Sequence, residues 1–367
     1  MSGMGIIMNR LESWLSEFLA GRGLPYPSTV SIEPVSNICQ LKCPLCPTGS
    51  NKLNYDQKIM SLESFKVLLG KMPFVGTIDL YKSGEPFFNP EIFEMVRYAA
   101  DRKIEVNIST NFSFPRSDEF FEHIINSGLG RLTISLDGAS QASYSQYRIG
   151  GDYELVMSNI MKLIEAKKRL RSRTPEIIWQ FLVNRFNEHE IPEARRIAKD
   201  LNITLHLMPL DLDDELPDME MEGTIEERKA YWLPSDKKYI CDRYRHEHRY
   251  PLFPGICTQL FSRVVVTADG KIFPCCWAWD RKSIVGDLLT ESFEDIWHNE
   301  KYVSSRSRFL KKGFNTKVRT VCFGCKGFGT TPSLTDKLRL LIAVYRERYG
   351  HRKRRLLRTL TGIFGRG

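Results

Sequence analysis

The run Cys39-Gln40-Leu41-Lys42-Cys43-Pro44-Leu45-Cys46 decides the reading of this chain, because it sets three thiols at C-x3-C-x2-C spacing just after the apolar stretch 29–35. A [4Fe–4S] cluster takes four thiolates. Three clustered cysteines without a fourth leave one iron for a small molecule to complete, and that open iron is where chemistry can happen. A zinc knuckle is the alternative, and it needs a fourth Cys or His close by. None lies between Val35 and Gln57, which favours iron and sulfur.

Outward from this loop the chain alternates strands and helices. Runs rich in β-formers occur at 29–35, 76–82, 104–109, 131–136, 176–183 and 203–208, with amphipathic helical patterns between them. The pattern is clearest at 153–171, where Leu155, Ile160, Leu163 and Ile164 recur at helical spacing and Lys and Arg fill the other face. Such alternation predicts an α/β fold with a parallel sheet whose functional loops lie at the strand C-termini. Six strands predict a partial (β/α)6 TIM-like barrel, open on one side for a large substrate. An ordinary doubly wound fold with incidental cysteines is the plainer alternative.

With these motifs in place the chain resembles the radical S-adenosylmethionine (SAM) superfamily, whose cluster loop has this spacing directly after the first barrel strand. The segment Tyr81-Lys82-Ser83-Gly84-Glu85-Pro86 stands where the family carries Gly-Gly-Glu-Pro, with Ser83 in place of the first glycine. The resemblance implies that Ser83, Gly84 and Glu85 hold the SAM amino group, and that Cys39, Cys43 and Cys46 ligate the open-iron [4Fe–4S] cluster. It also marks 106–111 and 132–138 as the ends of the third and fourth strands. Ser135 and Asp137 are candidates for the ribose, and Arg148 for the SAM carboxylate. Leu45 departs from the aromatic that many members place beside the adenine.

A second cysteine set follows the barrel. Cys257 precedes Gly270 by twelve intervening residues, Cys275 follows after four more, and Cys322-Phe323-Gly324-Cys325 comes much later. This resembles the C-terminal extension called SPASM, or its shorter relative called twitch, and implies one auxiliary [4Fe–4S] cluster on Cys257, Cys275, Cys322 and Cys325. A four-Cys zinc site has the same stoichiometry, and a three-Cys cluster with an open iron is a third option. Cys241 and Cys276 are left over. Either is a small buried hydrophobe or a hydrogen-atom or proton donor to a substrate radical, and Cys241 is the fallback ligand should Cys257 not bind.

The chain has 367 residues, 42% of them hydrophobic and 11% aromatic, enough for a barrel and a small second domain. Nine cysteines without a secretory-signal pattern predict a reducing cytosol and metal ligation. The expected divisions are an N-terminal amphipathic helix at 1–28, the core barrel at 29–208, a linker or active-site loop at 209–256, the cluster domain at 257–335 and a basic tail at 336–367. In the first, Leu11, Trp14, Leu15, Phe18 and Leu19 form a face expected to pack against the barrel. Only 38 residues precede Cys39, too few for the leader-peptide-binding domain found at the front of many peptide-modifying relatives.

The 209–256 segment is acidic from Asp211 to Glu222 and basic from Arg243 to Arg249. It reads either as a solvated linker or as a loop over the active site. From Asp336 onward ten Lys or Arg face two acids, a balance of 10 − 2 = +8 against +9 for the whole chain. This tail suits peripheral docking on an anionic membrane surface, or equally a solubility tail or an acidic protein partner. No recognition fold accompanies the charge, so nucleic acid is the least favoured partner.

The resemblance implies reductive cleavage of SAM, with a flavodoxin or ferredoxin as reductant, and hydrogen abstraction from a substrate between barrel and cluster domain. Oxidation of a small carbohydrate-like metabolite is the favoured expectation. Modification of a peptide or protein is the first alternative, and a non-catalytic zinc-binding adaptor is the second.

Overall fold

The computed structural model describes residues 3–21, 24–212, 223–241, 257–310, 316–325 and 334–349. The six expected strands are present as β1 (Thr29–Ile32), β2 (Thr77–Asp79), β3 (Glu105–Thr110), β4 (Arg131–Ser135), β5 (Glu176–Val183) and β6 (Thr204–Pro209). Each pairs in parallel with the next, in registers such as Val30↔Ile78, Ile108↔Leu132 and Trp179↔Leu205. Alternation makes β5 a strand: Ile177, Trp179, Phe181 and Val183 are buried, and the residues between them are less so.

The parallel pairs need crossovers, and helices supply them. They are α2 (Leu62–Gly70), α3 (Ile92–Ala100), α4 (Asp118–Asn126), α5 (Gln141–Tyr147), α6 (Tyr153–Arg169) and α7 (Ile191–Asp200), after the N-terminal α1 (Gly3–Ala20). Helix α6 starts at Asp152, whose side chain accepts from the Leu155 amide at 3.0 Å, and carries Lys167, Lys168 and Arg169 in its last turn. Its buried face is Tyr153, Val156, Asn159, Ile160, Leu163 and Ala166, so Leu155 lies beside the apolar stripe rather than in it.

The sheet does not end at the barrel. After α8 (Ile225–Trp232) and the short α9 (Gln259–Ser262), strand β7 (Arg263–Val266) pairs in parallel with β1, register Val30↔Val264. Antiparallel β8 (Lys271–Phe273) and β9 (Gly286–Asp287) follow, giving one nine-stranded sheet, β9-β8-β7-β1-β2-β3-β4-β5-β6. Val264 and Val266 share one apolar core with Val30, Ile32 and Ile78. The expected second domain is thus built on the barrel's own edge.

Helices α10 (Phe293–Trp297), α11 (Glu300–Leu310) and α12 (Leu334–Tyr349) complete the C-terminal part. Helix α1 packs on α11 and α12 rather than on the barrel helices. Leu15 and Leu19 are buried there, Ser16 donates to the Leu310 carbonyl at 3.2 Å, and Trp14 stays 55% exposed. The first half of the expected basic tail is therefore structural: Leu340 and Val344 are buried, and Lys337 bonds Glu12 at 2.7 Å. The rest of that tail lies outside the described residues. No helix among the described residues is long and apolar enough to cross a membrane.

Candidate active site

All the barrel motifs gather at the C-terminal ends of β1 to β4. Beyond β1 the chain forms a ribbon, Val35–Ser36 against Lys58–Ile59, that frames the cysteine loop. Within the loop the Cys46 amide donates to the Cys43 carbonyl at 3.1 Å, and the Lys42 amide ties it to the Ile149 carbonyl at 2.9 Å. Gly49 passes so close that a Cβ there would stand 2.5 Å from the Cys43 nitrogen.

Cys43 is buried, while Cys39 and Cys46 are partly exposed. The Asn111 side-chain amide donates to the Cys39 sulfur at 3.6 Å, the Leu41 amide donates to it at 3.4 Å, and Arg148 Nη1 donates to the Cys43 sulfur at 3.8 Å. Burial pushes the Cys39 thiol up to about 12 and the Cys43 thiol to about 11. Without a cation these sulfurs stay protonated; a metal deprotonates its thiol ligands outright. Among the described residues, no three His, Cys, Asp or Glu side chains converge on a single ion. Cubane ligands need no such convergence, because each thiolate binds a different iron.

Gly84 is needed twice over. Its φ is +70°, and a Cβ would stand 2.7 Å from the Ile38 carbonyl oxygen, so the 83–85 backbone lies directly against the cluster loop. The Glu85 amide donates to that same carbonyl at 2.8 Å. The Glu85 carboxylate is buried and accepts from Thr110 Oγ1 (2.6 Å), the Asn111 amide (2.8 Å) and the Phe87 amide (3.2 Å). It locks the β2 and β3 ends together and leaves the peptide groups of 83–85 as the part nearest the loop. Burial raises its pKa to about 7. Ser83 has a defined task too: its hydroxyl and that of Ser36 both donate to the fully buried Glu33.

Asp137 and Arg148, expected at different ends of one cofactor, are bonded to each other. Arg148 Nε donates to Asp137 Oδ2 at 2.6 Å, and the Leu182 amide donates to Oδ1 at 2.7 Å. Burial opposes the guanidinium charge, but Asp137 and the Cys43 sulfur hold it well above its ordinary pKa. Ser135 is buried at the end of β4, two residues before Asp137. The geometry thus groups Asp137, Arg148 and Cys43 in one cluster and places Ser135 next to it.

The described part of the 209–256 segment covers this loop. Leu210, Leu212, Trp232 and Leu233 are buried in one apolar cluster with Leu41, Cys43, Leu45 and Tyr147, and Cys39 and Cys46 pack against it. Tyr147 and Trp232 meet edge to face at 5.6 Å. Most of the acidic stretch and all of the basic one lie outside the described residues.

The second cysteine set is drawn from three segments: Cys257 before α9, Cys275 after β8, and Cys322 and Cys325 at a turn beyond α11. Burial raises the Cys257 thiol, and the charges of Cys322 and Cys325 raise it further. Burial likewise raises Cys275, followed by Cys276, Cys257 and Cys322. The four expected ligands therefore share one electrostatic neighbourhood. Cys276 packs on the same small apolar cluster as Cys275, and after burial the charges acting on it are Lys82, Arg263 and Asp79. Lys82, from the Ser83-Gly84-Glu85 loop, donates to the Ala278 carbonyl at 3.0 Å and lies 3.3 Å from the Trp279 ring, bracing the two cysteine regions. Cys241 is half-buried, and its neighbour Ile240 packs on the apolar cluster around Cys43.

Sequence reading missed Asn111, Glu33 and Trp232. Asn111 ends a parallel strand, the position at which barrels place functional groups, and that signal could have found it. Glu33 is tied to Ser83 and Trp232 packs with Tyr147 and the cysteine loop, partners distant along the chain that no local pattern reports.

Comparison with known proteins agrees with this geometry. A family model described as the radical SAM superfamily matches residues 34–216, and one for an iron–sulfur cluster-binding (SPASM) domain matches 257–326. The AdoMet-dependent heme synthase of Methanosarcina barkeri is 24% identical over 320 residues, 78% of this chain and 88% of that one. The corresponding enzyme of Nitratidesulfovibrio vulgaris is 28% identical over 80% of this chain and 85% of its own. A probable GTP 3',8-cyclase of Methanocaldococcus jannaschii is 24% identical over 66% and 82%. Among solved structures, Streptococcus suis SuiB bound to its precursor peptide SuiA shares the fold at TM-score 0.58 and 13% identity, over 87% of this chain and 73% of that one. The structure of anSMEcpe with bound AdoMet does so at 0.54 and 16%, over 91% and 99%. The chain belongs to the radical SAM superfamily, with the [4Fe–4S] cluster and S-adenosylmethionine of that family and a C-terminal SPASM domain for auxiliary iron–sulfur chemistry.

Proposed function

We propose that this enzyme takes a hydrogen atom from a small, non-peptide metabolite held between the cluster loop and the C-terminal cysteine set. The observation that carries the reading is the shared sheet, since β7 pairs with β1 and mounts both cysteine sets on one scaffold. The named relatives add support: a heme synthase and a GTP cyclase both take their names from small molecules. When bound, the open-iron cluster and SAM supply a 5′-deoxyadenosyl radical for the abstraction, and an auxiliary cluster supplies an electron acceptor that makes the net reaction an oxidation.

The chain's own work is binding, orientation and exclusion of water. Cys39, Cys43 and Cys46 hold three irons, and the donors from Asn111 and Arg148 stabilise their sulfurs as thiolates. The 83–85 backbone receives the amino group of SAM, Ser135 its ribose and Arg148 its carboxylate, while Asp137, expected at the ribose, has both oxygens engaged by Arg148 and the Leu182 amide. Asp137 fixes the Arg148 guanidinium before any ligand arrives, which saves ordering entropy on binding. The apolar cover around Trp232 keeps water from the sulfurs. Cys257, Cys275, Cys322 and Cys325 hold the auxiliary cluster.

Anaerobic, chemically reduced protein given SAM should form 5′-deoxyadenosine, and the Cys39→Ala/Cys43→Ala/Cys46→Ala variant should not. Deuterated cell extract split into small-molecule and peptide fractions then locates the substrate. Deuterium entering 5′-deoxyadenosine only from the peptide fraction would replace the proposed substrate class, and cleavage surviving in the triple variant would overturn the site.

A further inference from the structure

Helix α11 carries a buried arginine that has no acidic partner among the described residues. Arg306 is 0% exposed. Its Nη1 donates to the Trp297 carbonyl at 2.7 Å and its Nε to the Leu260 carbonyl at 3.2 Å. Its guanidinium carbon lies 3.9 Å from the Trp297 ring and 4.7 Å from the Tyr302 ring. Among the described residues its Nη2 has no hydrogen-bond partner, and neither do Trp297 Nε1 or the Tyr302 hydroxyl. Burial pulls the guanidinium pKa down to about 9, opposed by Tyr302 and, among the described residues, by no carboxylate. A buried cation with no counter-ion is among the costliest features a protein core can hold.

Three unpaired buried groups that can all donate, one of them cationic, make a wall suited to an anion that accepts hydrogen bonds. That wall shares a core with Cys257 and Cys322 and is linked to the second cysteine set through common neighbours. Leu260, whose carbonyl takes the Arg306 Nε proton, gives its own amide proton to the Cys257 sulfur. Ser305, the residue before Arg306, bonds Thr320 at 2.7 Å and the Cys322 sulfur. Tyr302 lies in the field of Cys275 and Cys322 as well as of Arg306.

We infer that Arg306 is the buried counter-charge of an auxiliary cluster on Cys257, Cys275, Cys322 and Cys325, and that it sets that cluster's reduction potential; this rests on the cluster reading given above. A tetrathiolate cubane is anionic and becomes more so on reduction, so a fixed cation beside it favours the reduced form. Raising the potential in this way makes the cluster a better electron acceptor. The open-iron site, on the loop after β1 and with Arg148 as its own arginine, is the internal control.

The test compares wild type, Arg306→Gln and Arg306→Lys as anaerobically reconstituted full-length protein, by iron and zinc analysis and by redox titration followed with EPR. Arg306→Gln should lower the auxiliary midpoint by a tenfold or larger change in the reduced-to-oxidised ratio, about 59 mV for one electron. The open-iron cluster should keep its potential, and Arg306→Lys should stay near wild type. Cluster loading should also raise the unfolding temperature of wild type more than that of Arg306→Gln. An Arg306→Gln protein with full iron and an unmoved auxiliary potential would overturn the inference alone. Zinc at the second set in wild type would overturn the inference together with the cluster reading. Should Arg306→Gln hold no auxiliary iron, wild-type iron and potential in Arg306→Lys support the role of charge, and loss in both variants overturns it.

Discussion

The two cysteine sites meet the same problem, buried sulfur anions, in opposite ways. Beside Cys43 the cation is Arg148, already neutralised by Asp137 at 2.6 Å. Near the second set the cation is Arg306, bonded to the Leu260 carbonyl and with no carboxylate partner among the described residues. The first site is finished by a ligand that brings its own sulfonium and ammonium charges, so a balanced protein field leaves room for it. On the reading proposed above, the second set has four thiolates and no ligand to come, and Arg306 supplies the charge. The proposal thus pairs a neutralised arginine with the site that binds and, among the described residues, an unpaired one with the site that would store an electron.

The largest effect that could break this comparison is expected from Cys39→Ala/Cys43→Ala/Cys46→Ala. It should reduce 5′-deoxyadenosine formation to background while the second set keeps its iron, checked by product assay and iron analysis. Next, Cys322→Ala/Cys325→Ala should take iron from about eight to about four per chain. SAM cleavage should persist while oxidised product is lost, separating the roles of the two sites. Background cleavage in this variant would mean that the sites are not independent.

A smaller change tests the cover over the first site. Trp232 is 7% exposed and meets Tyr147 and Phe186 edge to face. Trp232→Ala should cost about 3 kcal/mol in denaturant unfolding if the cover unfolds with the core, and should speed the bleaching of the cluster in air. Fast bleaching with unchanged unfolding would identify the cover as a locally opening unit.

The smallest effect concerns Glu85. Burial raises its pKa from 4.5 to about 7, so between these values the folded chain holds a proton that the unfolded chain has released. Apo-protein stability should therefore fall as pH rises through that window, by at most about 1.4 kcal/mol per pH unit, and level off above it. Glu85→Gln should flatten this slope in urea titrations. An unchanged slope would place the titrating group elsewhere.

The first site was largely legible because its ligands lie within eight residues on a loop that local spacing defines. The strands were legible too, since β-rich runs between amphipathic helices leave few other folds. Other features were not. Periodicity gave α1 an apolar face, yet which helices cover it depends on where the C-terminal part packs. The pairing of Asp137 with Arg148 joins a strand end to a helix end, and spacing along the chain does not report that contact.

The sequence alone determined the chemistry available: three thiols around an open iron, a glycine where a bulkier residue would strike the Ile38 carbonyl, and four further thiols for a second site. These follow from residue type and short-range geometry. Tertiary structure alone decided that both sites share one sheet, with β7 hydrogen-bonded to β1, and that Arg306 is buried near the second set with no counter-ion among the described residues. Backbone pairing between distant segments and the loss of water around a charge are properties of the folded chain, so no stretch of sequence carries them.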